Sequence, residues 1–188
     1  MKKQLSEWLL MIIIIGVLYF TGWYKDVAVF LQKGLLLTGA FDADTEYVTK
    51  EKIDYNLTLK STQGDTLHLS ELKGKVIFIN MWATWCPPCK AEMPGIESLY
   101  KDFTDSTDVA FVMLALDSEN RVKSYLKHFG YTFPAYTPMG GHIPEIYRPS
   151  SIPTTLIISP EGELVAKEVG MRNYDTKKYR RFLNKLAN

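Results

Sequence analysis

The chain contains two cysteines, Cys86 and Cys89, separated only by Pro87 and Pro88. Sulfur chemistry starts from the thiolate, and two thiols at this spacing can close a disulfide or resolve a mixed one. The same spacing also serves as half of a zinc site, or has no chemical role. With no second pair, a four-cysteine zinc site and a framework of structural disulfides are both excluded. Pro87 and Pro88 are tolerated in a first helical turn, where their missing N–H groups have no intrahelical partner.

The flanking sequence sets this pair at a strand-to-helix junction. Val76–Trp82 is an apolar run interrupted only by Asn80, as expected of a strand buried on both faces. After the cysteines, Ile96, Leu99, Tyr100 and Phe103 recur at helical spacing within 90–103, and Pro94 should kink that helix. Cys86 is thereby expected at a helix amino terminus, where unpaired N–H groups and the helix dipole favour an anion.

The remaining segments supply the frame. Ile53–Leu59 and Thr66–Leu69, joined by Gln63-Gly64-Asp65, read as a hairpin. Val109–Leu116 is a second buried strand, 118–129 a helix stopped by Gly130, and 133–136 a short strand. Gly140 and Gly141 mark a loop, and 143–147 a helical turn. Thr154–Ser159 and Glu163–Val169 form a second hairpin, and 174–186 a closing helix. Buried strands with crossover helices and an antiparallel edge describe a mixed α/β domain.

Upstream, Trp8–Tyr24 is uncharged and almost wholly apolar, at the short end of a membrane-spanning helix. Trp8, Tyr19, Trp23 and Tyr24 sit towards its ends, where rings favour a bilayer interface. Lys2 and Lys3 precede it, so the positive-inside rule sets the remainder of the chain outside the cytoplasm. A cleaved signal is the competing reading, but no small-residue site follows the run directly; Thr38-Gly39-Ala40 lies far downstream. The expected organisation is an anchor over 1–24, an amphipathic segment and linker over 25–52, and a globular domain over 53–188. The 26–41 stretch fits either a helix lying at the membrane surface or one packed on the domain.

Charge excludes one class of function. Lys and Arg number 22 against 21 Asp and Glu, which leaves no electrostatic case for nucleic acid.

The run Trp82-Ala83-Thr84-Trp85-Cys86-Pro87-Pro88-Cys89-Lys90 resembles the active site of the thioredoxin superfamily. Pro94 matches its helix-kinking proline, and Ile152-Pro153-Thr154-Thr155 resembles its cis-proline loop. The resemblance covers about 53–187 and is nearest to the membrane-anchored TlpA/ResA-like branch. Thioredoxin itself has a buried Asp where Asn80 stands; the TlpA/ResA-like branch carries a Glu three residues after the second cysteine, matched by Glu92. The stretch from Cys86 to Pro153 also leaves room for that branch's insertion, here about 117–138.

This resemblance implies a thioredoxin-like fold and a thiol–disulfide oxidoreductase needing no cofactor and no metal. It implies Cys86 as nucleophile, Cys89 as resolver, and a cis Ile152–Pro153 bond that sets the Ile152 backbone against Cys86. There a substrate strand can pair and a metal cannot enter. Trp85, Pro87, Ile152 and Pro153 would form the substrate rim. Glu92 shares the helix face of Cys89, and a partly buried carboxyl there would have a raised pKa and exchange protons with the thiols. The implied partners are protein disulfides, a membrane electron-donor protein and lipid; the implied direction is reduction, as in cytochrome c maturation.

Three other readings stay open: an oxidant, a copper chaperone needing a third ligand, and a tethered interaction module. His68, His128 and His142 are scattered and expected at the surface or in loops. Lys90 is either a helix-surface cation or an aid to a thiolate, and Asn80 either a hydrogen-bonded core group or a passive substitute.

Overall fold

A computed structural model describes residues 2–45, 51–140 and 143–188. Gly141 and His142, and residues 46–50 of the expected linker, lie outside the described residues.

The chain opens with two helices, α1 (Lys2–Thr21) and α2 (Tyr24–Leu36). A single helix over Trp8–Tyr24 was expected, and this needs correction. Gly22 takes a left-handed φ of 77°, the conformation that stops a helix at its carboxyl end. The chain then turns, and α2 leaves at 99° to α1. Among the described residues no single helix is long and apolar enough to cross a membrane; the pair passes that test of length and composition only together.

The domain is built on one seven-stranded sheet. Its strands are β1 (Thr58–Ser61), β2 (Thr66–His68), β3 (Val76–Trp82), β4 (Val109–Ala115), β5 (Ala135–Pro138), β6 (Thr154–Ile158) and β7 (Leu164–Val169), in the order β2-β1-β5-β4-β3-β6-β7. The β3–β4 and β4–β5 pairs are parallel and the others antiparallel. The helices are α3 (Pro87–Asp102), α4 (Glu119–Phe129) and α5 (Lys177–Ala187). This is the thioredoxin-like mixed α/β architecture with its N-terminal hairpin.

β3 is the central strand, and all seven of its residues are buried. Its alternate side chains enter two cores, as the strand period of two requires. Val76, Phe78 and Trp82 pack with α3, α4 and α5, where the Phe78 ring meets Phe111 at 5.0 Å and Tyr174 at 5.3 Å. Ile77, Ile79 and Met81 face the other way, against Leu57, Leu69 and Tyr147. Asn80 shares the face of Phe78 and Trp82 and pairs in register with Thr155 of β6.

The first strand starts later than its sequence alternation indicates. Ile53, Leu57 and Leu59 are buried, but Asp54 Oδ1 accepts the Asn56 N–H at 2.8 Å and Tyr55 O accepts that of Leu57 at 2.8 Å. These local turns take up N–H groups a ladder would need, so pairing begins only at Thr58.

α2 lies along α3. Its Leu36 is buried with Ala91 of α3 and Met171, and Phe41 packs beside them. Downstream, Ala43 N–H reaches Asn173 O at 3.2 Å and Asp44 N–H reaches Glu168 Oε1 at 2.9 Å, tying the exit from α2 to the far side of β7.

Candidate active site

Cys86 is the N-cap of α3, with extended backbone (φ −88°, ψ 109°) and Pro87 and Pro88 in the first turn behind it. Its Sγ accepts the Cys89 N–H at 3.3 Å, which is how an N-cap side chain satisfies a free helix donor. The two sulfurs are joined as a disulfide, with Cα atoms 5.3 Å apart. Cys89 is fully buried and Cys86 is 3% exposed. An attacking group therefore meets Cys86 first.

The loop delivering Cys86 is stitched to the end of β4. Leu116 N–H donates to Trp82 O at 2.9 Å, and Thr84 N–H donates to the Asp117 carboxylate, a side chain only 2% exposed. Sequence reasoning did not single out Asp117. Its signal was faint: an acidic residue directly after a buried strand, where side-chain acceptors often cap a neighbouring loop.

On the other side of the sulfurs stands the β6 entry loop. The Ile152–Pro153 peptide is cis, and Ile152 O lies 3.8 Å from Cys86 Sγ. Pro153 O accepts the Gly170 N–H at 2.8 Å, and Thr154 Oγ1 donates to Ser151 O at 2.7 Å, so the loop is held from both sides. Trp85 is 61% exposed beside the pair, whereas Trp82 is fully buried, with its ring 5.4 Å from Tyr125. Lys90 projects its ammonium over the Tyr125 ring, 5.9 Å from its centroid.

Glu92 lies one turn beyond Cys89 and is 1% exposed. Asn80 Nδ2 donates to its Oε1 at 2.8 Å, and Arg172 N–H to its Oε2 at 3.2 Å. Asn80 Nδ2 also donates to Thr155 Oγ1 at 2.9 Å, which accepts from Tyr174 O–H at 2.7 Å. Asn80 Oδ1 is buried and, among the described residues, finds no hydrogen-bond partner. Burial pushes the Glu92 carboxyl up to about 8, and the Asn80 and Arg172 N–H groups pull it partway back. Such a group is largely protonated at neutral pH and can give or take a proton there.

Asn80 is thus a hydrogen-bonded core residue, one of the two readings left open above. Thr155 and Tyr174 join it in a polar cluster inside an apolar core. Asn80 had a signal in the sequence, a polar residue interrupting the buried run of β3; Thr155, in the Thr154-Thr155 opening of β6, and Tyr174 had none of that kind. Beside Glu92 a cleft of about 340 Å³ opens, walled by Leu36 of α2 and its C-cap Leu37, by Ala91 and Pro94 of α3, and by Arg172.

His68 is exposed and bonds Thr58 within the β1–β2 hairpin; His128 is exposed on α4. Among the described residues, no three of His, Cys, Asp and Glu come together as a metal site.

Residues 48–167 match the AhpC/TSA family. The thiol-disulfide oxidoreductase ResA of Bacillus subtilis (strain 168) is 32% identical over 156 residues, covering 78% of this chain and 87% of that protein. The chain belongs to the AhpC/TSA family. Within it, this chain is a thiol–disulfide oxidoreductase related to ResA. A second relative, the thioredoxin-like protein YneN of the same organism, is 32% identical over 174 residues, covering 89% of this chain and 92% of its own. Among solved structures, a putative protein disulfide isomerase from Bacteroides thetaiotaomicron superposes with a TM-score of 0.60 at 26% identity, over 77% of this chain and 91% of that one.

Proposed function

We propose that this oxidoreductase reduces disulfides of extracytoplasmic proteins from a membrane tether. The observation that carries the reading is the pairing of an N-capping Cys86, beside an open loop carbonyl, with a fully buried Cys89 backed by a proton-holding carboxyl.

In this reading the reduced enzyme presents Cys86 as a thiolate. It attacks one sulfur of a substrate disulfide; the S–S bond breaks, and the other substrate sulfur leaves as a thiolate and takes up a proton. Cys89 then gives up its proton and attacks Cys86 Sγ. The mixed disulfide breaks, the first substrate sulfur leaves and is protonated, and Cys86–Cys89 closes. The substrate gains two electrons and two protons. Glu92 is assigned the proton exchange with Cys89, and Ile152, Pro153, Trp85 and Pro87 the substrate rim. A membrane dithiol protein returns two electrons to the pair.

The apolar α1 supports the membrane location. The resemblance to the TlpA/ResA-like branch supports reduction over oxidation and makes cytochrome c maturation the natural setting. Trapping tests the reading. A Cys89→Ser variant should accumulate its partner as a mixed disulfide on Cys86, identifiable by mass spectrometry. A reduction potential well above that of the compartment's oxidants would reverse the direction.

A further inference from the structure

α2 is apolar on two opposite faces. At about 100° per residue, Ala28, Val29, Gln32 and Leu36 form one stripe, and these are its covered residues. Trp23, Val27, Phe30 and Leu37 fall on the opposite stripe, exposed by 65%, 44%, 75% and 87%. Asp26 and Lys33 lie together along one border between the two, and Leu31 and Leu35, exposed by 60% and 48%, extend the outer apolar surface along the other. A helix that only packs on a domain needs one apolar face, and exposed large apolar patches mark contact with something else.

The exposed stripe continues into α1. Leu10, Ile12, Ile13 and Ile15 point round the whole of that helix and are all exposed, a pattern suited to an apolar medium on every side. Tyr19, Trp23 and Tyr24 gather at the bend between the helices, where Tyr19 and Tyr24 stack at 6.1 Å; amphipathic rings favour the headgroup level. With α1 entering a bilayer, the 99° bend lays α2 along its surface. A helix so placed sinks its apolar face into the headgroup boundary.

We propose that the outer stripe of α2 rests in a phospholipid surface while its inner stripe grips α3, seating the redox domain against the membrane in one orientation. This rests on the membrane tether of the proposed function and adds an address for the substrate. Leu36 packs on Ala91, two residues after Cys89. At Ala91 the axis of α3 therefore stands about one helix diameter, roughly 10 Å, from that of α2, and Cys89 lies about half a turn along from that contact. The disulfides this enzyme meets are those held close to the bilayer, such as segments adjoining a membrane anchor.

The test uses the full chain in phosphatidylcholine–phosphatidylglycerol vesicles. Two disulfide peptides are anchored to the same vesicles by lipid, one on a short spacer and one on a long rigid helical spacer. A disulfide held out of reach has almost no effective concentration at the site, so the short-spacer peptide should be reduced at least about tenfold faster. Leu36→Asp, which undocks α2 and leaves the tether intact, should bring the two rates within about twofold. Hydrogen exchange across α2 confirms the undocking.

Equal rates on both spacers in the native chain, with the protein floating with the vesicles, overturn the seating alone. Failure to float overturns the membrane tether itself. Unchanged α2 exchange in Leu36→Asp overturns the docking through Leu36. A self-associating species that buries Phe30, shown by Phe30→Asp turning a dimer into a monomer without altering flotation, assigns the outer stripe to a second copy and overturns the lipid contact.

Discussion

The side-chain amide of Asn80 on β3 holds the carboxyl of Glu92 on α3, Nδ2 to Oε1, at 2.8 Å. The strand beneath the redox helix thus carries no charge of its own at this point. It supplies a donor for a carboxyl brought in from above. The arrangement joins the proton chemistry of the site to the register of the central sheet.

The first prediction concerns Glu92 itself. Its carboxyl is raised from 4.5 to about 8 by burial, so the folded chain holds a proton that the unfolded chain releases. The associated stability is fully present below about pH 4.5 and is lost as pH rises through about 8. Relative to Glu92→Gln, the native chain should lose a few kcal/mol across that window, each pKa unit being about 1.4 kcal/mol. Urea unfolding of both oxidised proteins at the two ends of the window measures it. The rate of disulfide exchange should show a midpoint near 8 in the native chain and none there in the Gln variant.

A second prediction separates Asn80 from its partner. Asn80→Leu removes a donor to the carboxylate and leaves the burial. A hydrogen bond to a charged group is worth about 1.5–3 kcal/mol, so the Glu92 midpoint should climb by about one to two pH units. Carbon-13 NMR of labelled Glu carboxyls reads it directly. A midpoint that stays put would show that the amide does not discriminate between the two forms. The exchange Asn80→Asp with Glu92→Gln moves the carboxyl to the strand, and should return a pH-dependent rate to a chain that lacks Glu92.

A third concerns the loop that presents Cys86. Asp117→Ala removes the acceptor for Thr84 N–H and should leave a buried donor unpaired, at about 1–3 kcal/mol. Insulin reduction should fall several-fold. Asp117→Asn keeps an acceptor and should recover most of that activity. Equal losses in the two variants would make the charge, not the hydrogen bond, the operative feature.

The fourth addresses the core under the polar cluster. Phe78 is fully buried against Phe111 and Tyr174, so Phe78→Ala should cost about 3–5 kcal/mol in denaturant unfolding. Tyr174→Phe keeps the packing and loses only the hydrogen bond to Thr155, at about 1 kcal/mol.

Much of this was legible in the sequence because the informative patterns were local. The apolar run Val76–Trp82 is β3 to the residue, and the cysteines fall at the start of the helix that follows it. What escaped was non-local. Nothing near Glu92 in sequence names Asn80, twelve residues away, or Arg172, eighty residues away, as its partners. Alternation from Ile53 to Leu59 gave burial correctly and pairing incorrectly, because periodicity reports which face is covered and not where N–H groups go. For 26–41 the reading of a helix packed on the domain is the one observed, with Leu36 docked on Ala91 of α3; the membrane-surface reading enters only as the proposal for its outer stripe.

The pairing of Asn80 with Thr155 across β3 and β6 has a bearing on quality control. A slip of one residue between these strands would turn neighbouring side chains to opposite faces. It would oppose Thr155 with Ile79 or Met81, take the Asn80–Thr155 bond apart, and carry the Ile152–Pro153 loop at the start of β6 out of place beside Cys86. Such a chain could still collapse around two apolar cores and close its disulfide. It would be folded to the eye and idle as a catalyst, so activity in this protein doubles as a readout of correct strand alignment.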